Sequence, residues 1–302
     1  LSNDPKKPNI LYTIEDSAYI KSRFFTIDTG KAPALMTKAT RIVDSNGVFA
    51  GVSPYGDFSV EDLEAMINSD DDTVNIDPEG IAADGTGNFY IAHEGRGTVG
   101  DEDRPVESLN FILKVDTNGV ILDVITLPDE LNDIQVRYGL EGIAYHPDGV
   151  LVACLQRAWG DNAGPLIGVY DLAGAEWTFF VYPLDEPESQ NGGWVGLSDI
   201  TYVEGTGATF YVLERDNQGL TDAAVKRIYS IDLSAGITEM ATLSKTLVKD
   251  LIADDITGPI GGLPFEKLEG LAHNGKGWWI VNDNDGVDNN SGEIQLMNLG
   301  SL

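Results

Sequence analysis

The sequence predicts an all-β protein, a β-propeller whose four-stranded antiparallel blades surround a central channel. Three observations carry this. A hairpin-like stretch recurs at 77–95, 139–157, 197–216 and 267–285. Each copy has an acidic residue at its start, a short apolar strand, a Gly-rich turn and a second, alternating strand. Glu79 and Glu94, Glu141 and Gln156, Asp199 and Glu214, and Glu269 and Asn284 are each 15 residues apart. The copies follow one another at intervals of 58 to 70 residues, which in an all-β chain indicates repeated sheets around an axis.

Residues 1–8 read as the tail of a first, incomplete motif and 9–16 as its second strand, ending on Glu15 and Asp16. Residues 23–28 and 38–44 supply two outer strands. An excursion at 49–76 contains a short helix at 59–68, signalled by the cap residue Ser59, early acids and helical apolar spacing. Asp70, Asp71 and Asp72 read as a solvated turn. The second unit continues through 111–116 and 120–127, joined by the Asn118-Gly119 turn. The third continues through 167–172 and 176–184, the fourth through 227–233 and 245–252, and the fifth through 293–299 alone. Five blades are recognisable, and a sixth is accommodated if one is degenerate or lies upstream of Leu1. The strand missing from the last unit is likewise expected from upstream. Residues 1–302 are expected to form one domain.

The net charge of −30, from 49 acidic against 19 basic residues, argues against nucleic acid and anionic membranes as partners. It favours hard cations, calcium above all, and also suits solubility in a salty or extracellular setting. Cys154 is the single cysteine, so there is neither a disulfide framework nor a thiolate metal site, and it reads as a small buried hydrophobe. No apolar run is long enough to span a membrane as a helix.

The two strands of a hairpin run in opposite directions, so the start of the first and the end of the second share one edge of the sheet. Glu79 with His93 and Glu94, Glu141 with Gln156 and Arg157, Asp199 with Glu214, Arg215 and Asp216, and Glu269 with Asp283 and Asp285 are therefore expected at one mouth of the channel. The loops 95–108, 158–165 and 217–225 on that edge are long, whereas turns at the other edge are short, which marks the carboxylate rim as the functional face. So many carboxylates repel one another unless cations neutralise them. The expected metal set is Glu79, Glu94, Glu141, Asp199, Glu214, Glu269 and Asp283, with calcium as the ion and no organic cofactor. The other reading is structural, with each acid accepting hydrogen bonds from the backbone of the neighbouring blade. The segment 282–293 is calcium-like in composition but out of register with an EF-hand, and reads as a solvated loop.

No Gly-x-Ser-x-Gly elbow is present, and of three histidines only His93 falls at the mouth. His93 is a candidate base or ligand. Arg157 and Arg215 are candidates for holding a phosphate or carboxylate. Trp159, Trp194, Trp278 and Trp279 are candidates for a ligand surface, with at least one of the adjacent pair in the core.

The succession DPEGIA…FYIAHEG, GLEGIAYHPDG…VACLQR, LSDITY…FYVLERD and KLEGLA…WWIVNDND is similar to the phytase-like family described as "esterase-like activity of phytase". The likeness runs over roughly residues 9 to 299. It implies a secreted or periplasmic bacterial β-propeller whose signal peptide has been removed. A more distant likeness is to calcium-dependent β-propeller phytases, whose Asp-Asp-Pro-Ala motif is absent. The leading expectation is a calcium-dependent hydrolase of a small anionic ester, most plausibly a phosphate ester. The alternative is a non-catalytic, calcium-stabilised propeller that binds a ligand or a protein partner.

Overall fold

Strands alternating apolar and polar residues build five antiparallel sheets. The computed structural model describes residues 1–302 except 16–20, 57, 235, 254–266 and 285–293. Asp16, Asp285 and the start of the expected 293–299 strand lie outside the described residues. The first sheet contains β1 (Ser2–Asn3), β2 (Ile10–Ile14), β3 (Arg23–Asp28) and β4 (Leu35–Arg41). The second contains β5 (Pro78–Ala83), β6 (Asn88–His93), β7 (Phe111–Asp116) and β8 (Ile121–Thr126). The third contains β9 (Leu140–His146), β10 (Val150–Leu155), β11 (Leu166–Asp171) and β12 (Glu176–Val181). The fourth contains β13 (Val195–Tyr202), β14 (Thr209–Asp216), β15 (Lys226–Asp232) and β16 (Lys245–Asp250). The fifth shows three described strands, β17 (Lys267–His273), β18 (Trp278–Asp283) and β19 (Leu296–Gly300). The first motif is thus less incomplete than its sequence suggests, because Ser2 and Asn3 pair with Tyr12 and Leu11 as a two-residue inner strand.

The inner strands β1, β5, β9, β13 and β17 pack side by side in a closed ring, which makes the protein a five-bladed β-propeller. Five apolar clusters fill the seams between successive blades. Tyr12 and Phe24 meet Phe89 and Ile91 between blades 1 and 2, and Tyr90 and Ile112 meet Ile143 and Phe179 between blades 2 and 3. Val152 and Phe180 meet Ile200 and Phe210 in the next seam, followed by Leu213 and Ile228 against Leu271 and Trp278. Closure between blades 5 and 1 rests on Leu1, Leu11 and Ala272, reinforced by the Asn274 amide donating to Thr29 Oγ1 at 2.7 Å. Cys154 is buried within the third of these clusters.

The excursion packs against the first seam. Its helix α1 (Val60–Ala65) starts at a capping box, where Ser59 Oγ accepts from Asp62 N at 3.2 Å and Asp62 Oδ2 accepts from Ser59 N at 2.8 Å. Leu63 is its buried contact with the core. The helix ends before residue 68 because the Asn68 amide turns to the Thr73 carbonyl and Ile67 bridges Val74. No described helix is long and apolar enough to cross a membrane.

The glycine beside each inner-strand glutamate is there for space. A Cβ on Gly80 would lie 2.3 Å from the Glu141 carbonyl oxygen, and one on Gly142 would lie 2.3 Å from Ile200 N and 2.5 Å from Asp199 Cα. These atoms belong to the next inner strand, so neither clash can be relieved by a rotamer change. Gly142→Ala is expected to cost about 2–3 kcal/mol in urea unfolding. Gly51→Ala, where a Cβ meets nothing within 4 Å, is expected to change stability by less than about 0.5 kcal/mol. Equal stabilities for the two variants would contradict the close inner ring.

Candidate functional site

Pairing within the inner hairpins fixes which residues reach the mouth. Ile81 opposes Ile91, Ile143 opposes Ala153, Ile200 opposes Val212 and Leu271 opposes Ile280. The third of these hairpins is therefore longer than the first two, and the fourth shorter. A register shift interrupts each inner strand two residues before the apolar residue, at Glu79, at Glu141 and Gly142, at Ser198 and at Glu269. The equal spacing of 15 residues consequently misregisters the last two copies. Ser198, not Asp199, occupies the glutamate position of blade 4. On the second strands the equivalent residues are Glu94, Gln156, Arg215 and Asp283, not Glu214 and Asn284.

With that correction the mouth is coherent. Glu79, Glu94, Glu141, Gln156, Arg215, Glu269 and Asp283 line one cavity of about 330 Å³, together with Arg137, Tyr138, Trp194, Asn217 and Lys267. Ser198 is buried below it and donates to the Leu268 carbonyl at 2.7 Å.

The acidic side of the cavity is built mainly on blade 2. Carboxylate oxygens of Asp77, Glu79 and Glu94 lie within 4.8 Å of one another. The backbone partly sets this convergence, because Glu94 N donates to the Asp77 carbonyl at 2.9 Å. Glu94 Oε1 also accepts from Gly139 N at 2.8 Å, tying blade 2 to blade 3. Two oxygens on one calcium ion can be up to about 5 Å apart, so the triad fits such an ion. Glu141 is almost wholly buried and accepts from the Gln156 amide. Burial pushes its carboxyl well above the usual range, helped by the negative charges of Glu269 and Glu94. Glu269 accepts from Arg215, and its second oxygen is buried without a hydrogen-bond partner among the described residues. Lys267 lies 3.5 Å from Asp283.

The other residues expected at the rim are held elsewhere. Asp199 is buried and accepts from Leu271 N of the next blade at 2.6 Å and from Ile200 N at 2.9 Å, so it clamps two inner strands together. Glu214 is buried among the Tyr182 hydroxyl at 2.9 Å, Lys245 Nζ at 2.7 Å and Asp185 N at 2.7 Å. Asp216 pairs at 2.7 Å with the fully buried Lys226. Trp159 and Trp278 are core, while Trp194 lines the cavity.

His93 lies between β5 and β7, against a second cavity of about 410 Å³ lined by Asp77, Arg96, Glu107 and Ser108. Its Nδ1 lies 2.9 Å from Asp77 N and 3.2 Å from the Asp77 carbonyl oxygen; with Nδ1 accepting the shorter bond, the proton is on Nε2, 3.2 Å from Ser108 Oγ. In this tautomer the imidazole donates to the serine and cannot take its proton. Burial pushes the His93 pKa down to about 3. The histidine thus pins the backbone of Asp77 beside the carboxylate triad. Arg157 is half-buried at the edge of the mouth against Tyr138 and Trp194. Lys267, Arg137, Tyr138 and Asn217 of the cavity lining, and Asp77 of the carboxylate triad, are the residues that the sequence motifs did not single out. Registering the copies on their apolar pairs would have found Asp77 and Lys267, which occupy equivalent positions. Arg137 and Tyr138 lie on a connection between blades that carries no motif.

A five-bladed propeller with a carboxylate-lined, arginine-flanked mouth belongs to the class of propellers that gather polar groups at one end of the axis. The chain belongs to the phytase-like family described as "Esterase-like activity of phytase", which matches residues 1–286. No curated protein gives a significant match. Among solved structures, a protein of unknown function from Bacteroides caccae is similar at 10% identity and a TM-score of 0.44, over 98% of this chain and 91% of that one. A polysaccharide lyase described as an ulvan lyase is similar at 8% identity and a TM-score of 0.36, over 97% of this chain and 90% of that one.

Two buried groups set opposing pH dependences. Burial pushes Asp199 up to about 6 from its ordinary 3.8, so the folded state binds more protons between those values. The corresponding stability is full below about pH 4 and is lost as pH rises through 6, by roughly 3 kcal/mol. His93, pushed down to about 3 from 6.5, acts in reverse: its contribution is full above pH 6.5 and is lost as pH falls toward 3. Asp199→Asn is expected to remove the loss between pH 4 and 6 from urea-unfolding profiles, and His93→Gln the loss at lower pH. An unchanged slope in Asp199→Asn would show that this carboxyl is not buried in the ring.

Proposed function

We propose that the protein is a cation-dependent hydrolase acting on a small anionic ester, namely a phosphate ester, at the mouth of the propeller. The observation that carries this reading is the two-sided cavity: Glu79 and Glu94 share it with Arg215, Lys267 and Arg137, and the Asp77 carboxylate converges on those two glutamates from the neighbouring cavity. A net charge of −30 would repel an anionic substrate, and a divalent cation at the triad would offset that repulsion locally. Asp77, Glu79 and Glu94 would hold the ion, with calcium as the expected one because the donors are all oxygens. The Glu269 oxygen that has no hydrogen-bond partner among the described residues adds a further acceptor beside the same cavity. When bound, the cation supplies Lewis acidity toward the ester oxygens. Arg215, Lys267 and Arg157 bind and orient those oxygens, and His93 keeps Asp77 in place. A site built from weakly buried carboxylates suits the high free calcium outside cells, in keeping with a secreted or periplasmic protein.

One observation favours the other class. The described residues lining the cavity include no serine, cysteine or histidine, so the nucleophile–base pairs that such side chains form are missing from it. A calcium-stabilised propeller that binds an anionic ligand without converting it uses the same groups.

Calcium that binds only the folded protein should raise its melting temperature, by the equivalent of about 2.7 kcal/mol at 100 times the dissociation constant. Glu79→Gln combined with Glu94→Gln is expected to abolish that gain, while Glu204→Gln, on an exposed turn at the other end of the hairpin, retains it. Phosphate-ester hydrolysis is expected to disappear with EDTA and to return with calcium. A melting curve indifferent to calcium and EDTA would remove the metal site. A calcium response without hydrolysis in a broad ester screen would leave the binding propeller.

A further inference from the structure

We propose that Trp194 and Tyr138 are positioning residues for an oxyanion-binding wall, in which their rings hold the guanidinium of Arg157, and Trp194 also that of Arg215, at the edge of the cavity. The proposal deepens the hydrolase reading and rests on it for the identity of the substrate, which would present its phosphate oxygens to this wall.

The wall alternates cations and rings. The guanidinium carbon of Arg137 is 4.6 Å from the centroid of the Tyr138 ring, and that of Arg157 is 4.8 Å from the same ring. Arg157 is also 5.1 Å from the Trp194 ring, and Arg215 is 5.6 Å from it. The two ring centroids are themselves 5.5 Å apart and inclined at 58°, so Arg157 rests in the angle between them. Among the described residues Arg157 makes no hydrogen bond and no ion pair. That is unexpected for a half-buried arginine in a chain with 49 acidic residues. Arg227, by contrast, pairs with Asp185, Glu188 and Asp250. Contact with rings leaves the in-plane N–H donors of a guanidinium available, which is the geometry that binds two oxygens of a phosphate.

The corner is also built rather than incidental. Trp194 N donates to Asn217 Oδ1 at 2.8 Å, and Asn217 N donates back to the Trp194 carbonyl at 3.0 Å. A Cβ on Gly196 would lie 2.9 Å from Trp194 Cζ3, so the indole occupies space that only glycine leaves. The buried Trp159 fixes the neighbouring ring by donating Nε1–H to the Tyr138 carbonyl at 2.8 Å. Three separate elements thus hold two rings whose shared function is to carry guanidinium groups.

The test is calorimetric titration of inorganic phosphate into the full-length, calcium-loaded protein, with hydrolysis of p-nitrophenyl phosphate measured in parallel. Trp194→Leu is expected to weaken phosphate binding about tenfold, the effect of losing two ring–guanidinium contacts. KM should rise by a similar factor while kcat stays within about threefold. Trp194→Phe, which keeps a ring, should retain affinity to within about threefold. Where Trp194→Leu loses its melting transition, Tyr138→Leu takes its place with the same expectation. Wild-type phosphate affinity in the folded leucine variant overturns the proposal even if hydrolysis is intact. Phosphate binding that is lost in that variant, with no hydrolysis by any form, supports the wall and removes the hydrolase. A wild-type protein that binds no phosphate overturns both.

Discussion

The mouth of this propeller depends on how closely the five inner strands approach the axis. At Gly80 and Gly142 the backbone of one strand sits where a side chain would otherwise separate it from the next. Gly270 occupies the same place in blade 5, where a Cβ would meet Val281 and Leu1 within 2.9 Å. The register shift at each of these places delivers the preceding glutamate to the cavity. Tight closure and concentrated negative charge are therefore produced by the same two-residue motif. Blade 4 solves the problem differently. Asp199 takes the place of the glycine and spends its carboxylate on the backbone of blade 5, and Ser198 takes the place of the glutamate. One blade is thereby relieved of rim charge, and on its second strand Arg215 faces the cavity instead.

Scarce cations are divided between two tasks. Lys226, Arg227 and Lys245 are committed to Asp216, Asp185, Glu188, Asp250 and Glu214, all within or beside blade 4. Burying such ions is costly, and removing one partner leaves the other uncompensated, so these pairs hold the blade rather than bind a ligand. The cations at the mouth are placed otherwise. Arg137 and Arg157 contact rings, and among the described residues Arg215 and Lys267 are the cations that reach carboxylates of the cavity. Among the described residues Arg157 has no carboxylate partner, which in so acidic a chain is what the proposed anion-binding wall would require.

The sheet architecture was legible because period-two alternation and turn residues act locally. The expected strands at 23–28 and 111–116 match β3 and β7 end to end, and other strand ends differ by only a few residues. Registration between copies was less legible, because it depends on bulges and turn lengths that a constant spacing cannot represent. Glu214 and Asn284 matched a count, whereas the apolar residues Ile81, Ile143, Ile200 and Leu271 mark the true correspondence. His93 shows a different limit. Its position at a strand end was readable, but its burial and tautomer are set by Asp77 N and Ser108, the latter 15 residues away. Arg157, Arg215 and Trp194 were each legible as candidates, but their assembly with Tyr138 into one wall was not, since it joins a connection after blade 2, the chain just past β10 and the residue before β13.

The position of the closing seam bears on how the site is kept intact. Lining residues of the cavity come from blades 2 to 5 and the connections between them; among the described residues, none comes from blade 1. Glu15 of blade 1, which the sequence places at the rim, pairs instead with Arg23 of the same blade at 2.7 Å. Among the described residues the apolar seam between blades 5 and 1 is also the smallest of the five, with three buried residues. A ring that opens first where it is least packed would part at that seam and leave blades 2 to 5 as a continuous arc. The carboxylate triad lies within blade 2, and its nearest inter-blade bond, from Gly139 to Glu94, crosses to blade 3. The proposed cation site would therefore draw on contacts remote from the seam, while an anion reaching both Arg157 and Lys267 would span blades 3 to 5. Placing every described lining group on one arc lets the propeller tolerate fluctuation at its closure without dispersing the charges at its mouth.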